Sequence, residues 1–226
     1  MRFHDIVLAI LSPCMAHAAM GDLVQYESAD RAVTAVMNCD WDTFQDTDSV
    51  WWDSTIEQGN ESSVVRAHQQ SNLTADRLTF EGETQAVGVP FMNVAYSSST
   101  LSTTLMLDSD VNVDLHWSYL LELQGWGADG GAGMRISTLD GVSLFDIDLQ
   151  FEGSLDASSE MELVAGSYLV EVYLGSIVSP SFGGDASSDF QMSMAFSSVP
   201  SPGALAMLGA AILVGRSRRR VPERTS

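Results

Sequence analysis

The chain has 226 residues, of which 30 are acidic and only ten basic, all ten of them arginine, for a formal net charge of −20. A surface this acidic repels phosphate, which argues against nucleic acid and anionic lipid as its partners. Apolar residues make up 45% of the chain and there are two cysteines, enough apolar material for a packed core but no disulfide framework and no paired-cysteine zinc site.

At the N-terminus, Arg2 precedes the short apolar run Ile6 to Leu11, and Ala16-His17-Ala18 fits a small-x-small cleavage pattern. This predicts a signal peptide over 1–18 and a mature start at Ala19. A rival is Leu11-Ser12-Pro13-Cys14, which faintly resembles a lipoprotein lipobox but has proline directly before the cysteine. Once the leader is cut, Cys39 is the remaining cysteine, read as a small buried hydrophobe, with intermolecular pairing as the alternative.

The body is predicted to span 19–198 as one domain. Of the acidic residues only Asp5 and Glu223 fall outside it, and of the arginines only Arg31, Arg66, Arg77 and Arg135 fall inside. Its acidity therefore exceeds that of the whole chain, and favours solubility in a high-salt setting. Early in the body, Asp40, Asp42, Asp46, Asp48 and Asp53 gather around Trp41, Trp51 and Trp52. Carboxylates at short spacing suit calcium, which takes six to eight oxygens, although no glycine supplies the bend of an EF-hand loop. The tryptophans suit a sugar-stacking platform. An acidic surface loop with core or edge tryptophans accounts for the same residues.

Strand patterns follow in order. Val33, Ala35 and Met37 alternate after Arg31. Ser63 to Gln69 and Leu78 to Phe80 read as strands separated by a bend at 70–73. Residues 87–96 suggest another, placed at an edge by Pro90. The clearest alternation is Val111, Val113, Leu115 and Trp117 against Asn112, Asp114 and His116, continued by Tyr119, Leu121 and Leu123. Gly125 to Gly133 reads as a glycine-rich turn, with Met134 to Thr138 as the returning strand. Asp140-Gly141 is a hairpin signal, after which Phe145, Ile147, Leu149 and Phe151 alternate. A turn at Ala165-Gly166 leads to Tyr168, Val170, Val172 and Leu174. Ser179 to Ser188 reads as a loop, and Phe190, Met192, Met194 and Phe196 as the last strand.

No helical periodicity appears between the terminal apolar runs. The expected fold class is therefore all-β, an antiparallel β-sandwich or jelly roll. The stretch Leu163 to Tyr173 resembles the penultimate hairpin of secreted bacterial β-sandwich modules, a likeness extending over about 100–198.

Catalysis finds little support. His68 and His116 are the histidines that survive maturation, without a Gly-x-Ser-x-Gly elbow. Asp146 and Asp148 stand ~6.5–7 Å apart on one strand face, inside the ~5–9 Å that glycosidase carboxylates use, but so acidic a chain produces such pairs by chance. The 127–133 stretch lacks the Lys-Ser/Thr of a phosphate loop. No catalytic residue, metal or cofactor is assigned, and the body is expected to be non-enzymatic.

The chain closes on Val199-Pro200-Ser201-Pro202-Gly203, an apolar run from Ala204 to Gly215, and Arg216, Arg218, Arg219 and Arg220. Proline permits a helix to begin at 202 but not to run through it. The twelve apolar residues cover ~18 Å of a ~30 Å hydrocarbon core, so the helix spans only marginally. Long arginine stems extend it toward the interface. The arginines stay cytoplasmic and leave the body outside. A buried amphipathic helix is the alternative, disfavoured because the run has no polar face.

Motif, short helix and arginine cluster together resemble the PEP-CTERM sorting signal of bacterial exported proteins. Ser201 stands where the commonest family motif has glutamate, and the tail 221–226 runs past the usual end. The resemblance implies recognition of Val199, Pro200, Ser201 and Pro202 by an exosortase, a membrane cysteine protease. It also implies a membrane hold by 204–215, a stop by the arginines, and delivery through the export machinery. The protein is then transiently anchored in the inner membrane before reaching the envelope or the extracellular space, where polysaccharide is an expected neighbour. The alternative is a secreted carbohydrate- or calcium-binding β-sandwich module.

Overall fold

The computed structural model describes residues 23–37, 40–47, 50–60, 63–88 and 94–199. In chain order the strands are β1 (Gln25–Met37), β2 (Asp40–Asp46), β3 (Trp51–Asn60), β4 (Ser63–Thr74), β5 (Arg77–Gly88), β6 (Ala95–Leu107), β7 (Val111–Gln124), β8 (Ala128–Thr138), β9 (Ser143–Leu149), β10 (Gly153–Leu163), β11 (Gly166–Val178) and β12 (Gly184–Ser198). No helix occurs among the described residues.

The strands form two six-stranded sheets. The first runs β2-β1-β6-β11-β8-β9 and the second β3-β4-β5-β12-β7-β10. Every pairing is antiparallel. The sheets stack with β1 over β3 and β4, β6 over β4 and β5, β11 over β5 and β12, and β8 over β12 and β7. The body is thus an all-β antiparallel two-sheet sandwich, as the alternation predicts.

Alternation dictates which side chains go in. β7 buries Val111, Val113, Leu115, Trp117, Tyr119 and Leu121, and exposes the residues between them apart from the half-buried Ser118. β11 contributes Tyr168, Val170, Val172 and Leu174, and β12 contributes Phe190, Met192, Met194 and Phe196, to the same apolar cluster. A smaller cluster, including Val33, Met37, Ile56, Val65 and Val178, fills the other end of the sandwich. Between the two clusters the inward positions are polar: Arg31 on β1, Gln69 and Ser71 on β4, Thr84 on β5, Ser97 and Ser99 on β6, Ser176 on β11 and Ser188 on β12 are all buried.

The buried polar groups bond across the gap. Ser99 Oγ donates to Gln69 Oε1 at 3.0 Å, Ser97 Oγ to the Gln85 carbonyl at 3.0 Å, and Thr84 Oγ1 and Ser176 Oγ lie 2.9 Å apart. Arg31, 2% exposed, gives Nε to Ser71 Oγ at 2.8 Å and Nη1 to Asp46 Oδ2 at 2.9 Å. Burial lowers the Arg31 pKa and the Asp46 carboxylate opposes it.

Several sequence boundaries shift. The expected bend at 70–73 is strand: β4 continues to Thr74 and turns at 75–76, because Ser71 and Leu73 both fit inward sites. The single strand expected over 87–96 is two elements, since β5 ends at Gly88 and β6 begins at Ala95. The glycine-rich turn shrinks to 125–127, and Asp129 to Gly133 belong to β8, which pairs with β11 and β9 rather than returning beside β7. The expected loop at 179–188 ends at Gly183. β10, with Ser and small residues among its inward sites, carries too weak an apolar pattern to be read beforehand.

The signal peptide with Ala16, Ala18 and Ala19, together with Cys39, Asp48, Pro90 and everything from Pro200 onward, lies outside the described residues. That includes Ser201, Pro202, the apolar run and Arg216, Arg218, Arg219 and Arg220.

Candidate functional site

The Trp/Asp stretch becomes the two strands at one edge of the sandwich, β2 in the first sheet and β3 in the second. Trp41 pairs in register with Val36 on the outer face of the first sheet and is 68% exposed. Trp51 pairs with Asn72 on the outer face of the second sheet and is 55% exposed. The two exposed indoles therefore lie on opposite faces of the molecule. Trp52 points inward and packs on the smaller apolar cluster.

The carboxylates divide similarly. Asp40, Asp42 and Asp46 sit opposite the inward-facing Met37, Ala35 and Arg31. Asp46 is bound to Arg31, and Asp42 accepts a hydrogen bond from Gln58 Nε2. Asp53 faces out from β3, with its Oδ1 3.1 Å from His68 Nε2, an ion pair when the histidine is protonated. Among the described residues no three His, Cys, Asp or Glu side chains are placed to hold a metal ion.

A concavity among the described residues lies elsewhere, on the outer face of the second sheet. It is a trough of about 540 Å³ that crosses all six strands, within the ~300–1,000 Å³ usual for ligand sites. Two cross-strand rows form its walls. Trp51, Asn72, Thr79, Ser193 and His116 stand in one row, each in register with the next. Gln70, Glu81, Gln191, Ser118 and Asp156 make the second. The rows are two residues apart along each strand, ~6.5–7 Å. They face outward because their neighbours Ser71, Phe80, Met192 and Trp117 are the inward positions of the same strands.

None of the nine polar side chains along the walls is hydrogen-bonded to another described protein group. The outer face of the first sheet holds a few hydrogen bonds between outward side chains, although Ser98, Thr100, Ser102 and Thr104 make none. There Tyr173 Oη donates to Asp148 Oδ1 at 2.6 Å, Gln150 Nε2 reaches the same carboxylate, and Thr34 bonds Thr43. Burial, then the Asp148 hydrogen bond, raises the Tyr173 pKa. Beside the trough, Asp189 stands opposite Glu83 in register, and its carboxyl is raised above the ordinary value by burial first and then by Glu81 and Glu83.

Chemically the trough is amphoteric. Its amides offer donors and acceptors, its hydroxyls both, and its two carboxylates acceptors only. Ser193 and His116 are cross-strand neighbours, but no hydrogen bond links them and no carboxylate is bonded to His116, so no activated nucleophile is assembled. Of the residues weighed from the sequence, Trp51 and His116 line the trough, with Asp53 two residues from Trp51 on β3. The alternation identified the outward positions, but nothing in the sequence said which outward residues of distant strands share a row.

No protein-family model and no curated protein matches this chain. Among solved structures it is similar to the enzymatically active domain of tailspike protein 4 of Bacteriophage CBA120, at 12% identity and TM-score 0.26 over 63% of this chain. It is also similar to YcfD, a ribosomal oxygenase from Escherichia coli, at 11% identity and TM-score 0.17 over 88% of this chain. A third is an arabinose-bound GH51 α-L-arabinofuranosidase, at 11% identity and TM-score 0.19 over 62%. The chain spans 19%, 50% and 23% of those three proteins respectively. These likenesses carry no argument about function.

Proposed function

We propose that the protein is an exported, non-enzymatic component of the cell surface or extracellular matrix, sorted by its PEP-CTERM-like tail. The observation that carries this reading is the order Val-Pro-Ser-Pro, apolar run and arginine cluster, set directly behind the last strand. β12 stays in register with β7 to the Ser198–Val111 pair, so the motif begins where the paired body stops. In this reading an exosortase-like protease recognises Val199 to Pro202 while 204–215 sit in the membrane and Arg216, Arg218, Arg219 and Arg220 halt translocation.

Intact mass spectrometry of the protein recovered from its native host tests this. The expected mature form begins near Ala19 and lacks the segment after the motif. A cytosolic protein with all terminal arginines intact overturns the proposal.

A second reading, that the body is a secreted binding module for carbohydrate, is favoured by one observation. The polar side chains of two cross-strand rows line one concavity beside the exposed indole of Trp51, and they make no hydrogen bonds to other described protein groups.

A further inference from the structure

We infer that the trough across the second sheet binds an uncharged oligosaccharide lying perpendicular to the strands, with Trp51 stacking on a sugar at one end and the amides of Gln70, Asn72 and Gln191 reading hydroxyls along it. This inference rests on the carbohydrate-module reading and gives it a location, an orientation and a ligand class.

The shape sets the orientation. Strands lie ~4.8 Å apart, so the five intervals from Trp51 on β3 to Asp156 on β10 span about 24 Å. That suits an extended chain of several sugars rather than a single one. The two side-chain rows run along this axis, so the walls follow the ligand and the strands cross beneath it.

The chemistry sets the ligand class. A sugar ring has apolar C–H faces and a rim of hydroxyls that both donate and accept. The apolar face suits an exposed indole, and Trp51 offers one at the open edge of the sheet. The rim suits amides and hydroxyls, since each supplies both functions. Glu81 and Asp156 accept only, and take hydroxyl protons. Leaving these groups without partners in the free protein lets the ligand gain hydrogen bonds without breaking protein ones.

Charge removes the competitors. Among the wall side chains only His116 can carry a positive charge, against Glu81 and Asp156, in a chain of net charge −20. Uronate, sulfate and phosphate groups are therefore repelled. An apolar peptide or a lipid tail would leave the amides and carboxylates buried without partners, at a cost of ~1–3 kcal/mol each.

The experiment is calorimetric titration of the protein recovered from its host with neutral hexasaccharides of cello-, xylo- and malto-type, beside an anionic uronate hexasaccharide. Three variants accompany it: Trp51→Ala and Gln191→Ala in the trough, and Trp41→Ala on the opposite face. Saturable binding of at least one neutral series is expected, with a roughly 10-fold or greater loss in Trp51→Ala, about 5–10-fold in Gln191→Ala, and no change in Trp41→Ala. Gln191 is an exposed residue, so its variant keeps the test open if Trp51→Ala folds poorly. Binding lost in Trp41→Ala but kept in both trough variants overturns the trough while leaving the module reading standing. Preference for the uronate overturns the ligand class, and absence of binding to every neutral series overturns the inference together with the module reading.

Discussion

At the scale of single residues, the acidic composition has local consequences that a net charge hides. Asp189 on β12 stands opposite Glu83 and diagonal to Glu81 on β5. Its raised pKa, from burial and then these two carboxylates, means that the folded state holds its proton more tightly than the unfolded chain. Stability from this group is therefore gained as the pH falls through the folded pKa toward the ordinary carboxylate value, and is absent at neutral pH. Asp189→Asn is expected to raise the melting temperature at pH 7 by about 1–3 °C, the equivalent of relieving a cross-strand repulsion of ~0.2–1 kcal/mol. The advantage should shrink on acidification, and thermal melts of both proteins from neutral to acidic pH measure it; a constant difference would refute the assignment. None of this was legible in the sequence. Asp189 and Glu83 are far apart along the chain, and only the pairing of β12 with β5 sets them side by side. The Trp/Asp stretch shows the converse: residues adjacent in sequence are divided between two faces because the chain crosses from one sheet to the other between β2 and β3.

At the scale of elements, strand existence was readable wherever one face was apolar, as in β7, β11 and β12. It failed where the inward residues were small or polar. β8 is the instructive case, because its Gly130, Gly131 and Gly133 read as a turn and yet lie in the middle of a sheet. The glycines are there for closeness rather than for a bend. A Cβ on Gly130 would lie 2.9 Å from Leu121 Cδ1 and 3.0 Å from the Gly175 carbonyl oxygen. At Gly133 the Tyr173 ring occupies the space that a side chain would need, covering the backbone as an aromatic neighbour does for a strand glycine. Gly130→Ala is therefore expected to destabilise the protein by about 1–3 kcal/mol, the range for overpacking a closed interior, although alanine is otherwise the better residue. Denaturant unfolding measures the difference, and an unchanged midpoint would show that the sheets can separate there without cost. β10 was missed for a related reason: its inward sites alternate Leu155, Ala157, Ser159 and Met161 against acids and serines, a pattern too polar to separate from a loop.

At the scale of the molecule, the polar belt between the two apolar clusters and the acidic surface act in opposite directions. The belt ties the sheets together with buried hydrogen bonds worth ~1 kcal/mol each, and its polar and small side chains fix how one sheet sits over the other. The surface works against compactness, since a net charge of −20 with no lysine leaves carboxylates without enough cations to offset them, and like charges repel more weakly once the chain expands. Salt separates these two contributions. Raising sodium chloride from about 0.01 M to about 1 M shortens the screening length from ~30 Å to ~3 Å, which weakens repulsion between exposed carboxylates but leaves the buried belt untouched. The melting temperature at pH 7 is expected to climb by several degrees, with ~1 kcal/mol corresponding to ~2–4 °C. Most of the rise should fall within the first ~0.3 M, where the screening length already drops below ~10 Å. General exclusion of solute from the surface would instead grow steadily with concentration, as it does with sucrose. Calorimetry across a salt series and a parallel sucrose series therefore decides between them. A melting temperature that is flat over the low-salt range would mean that the carboxylates are spaced widely enough for their repulsion to cost the fold nothing.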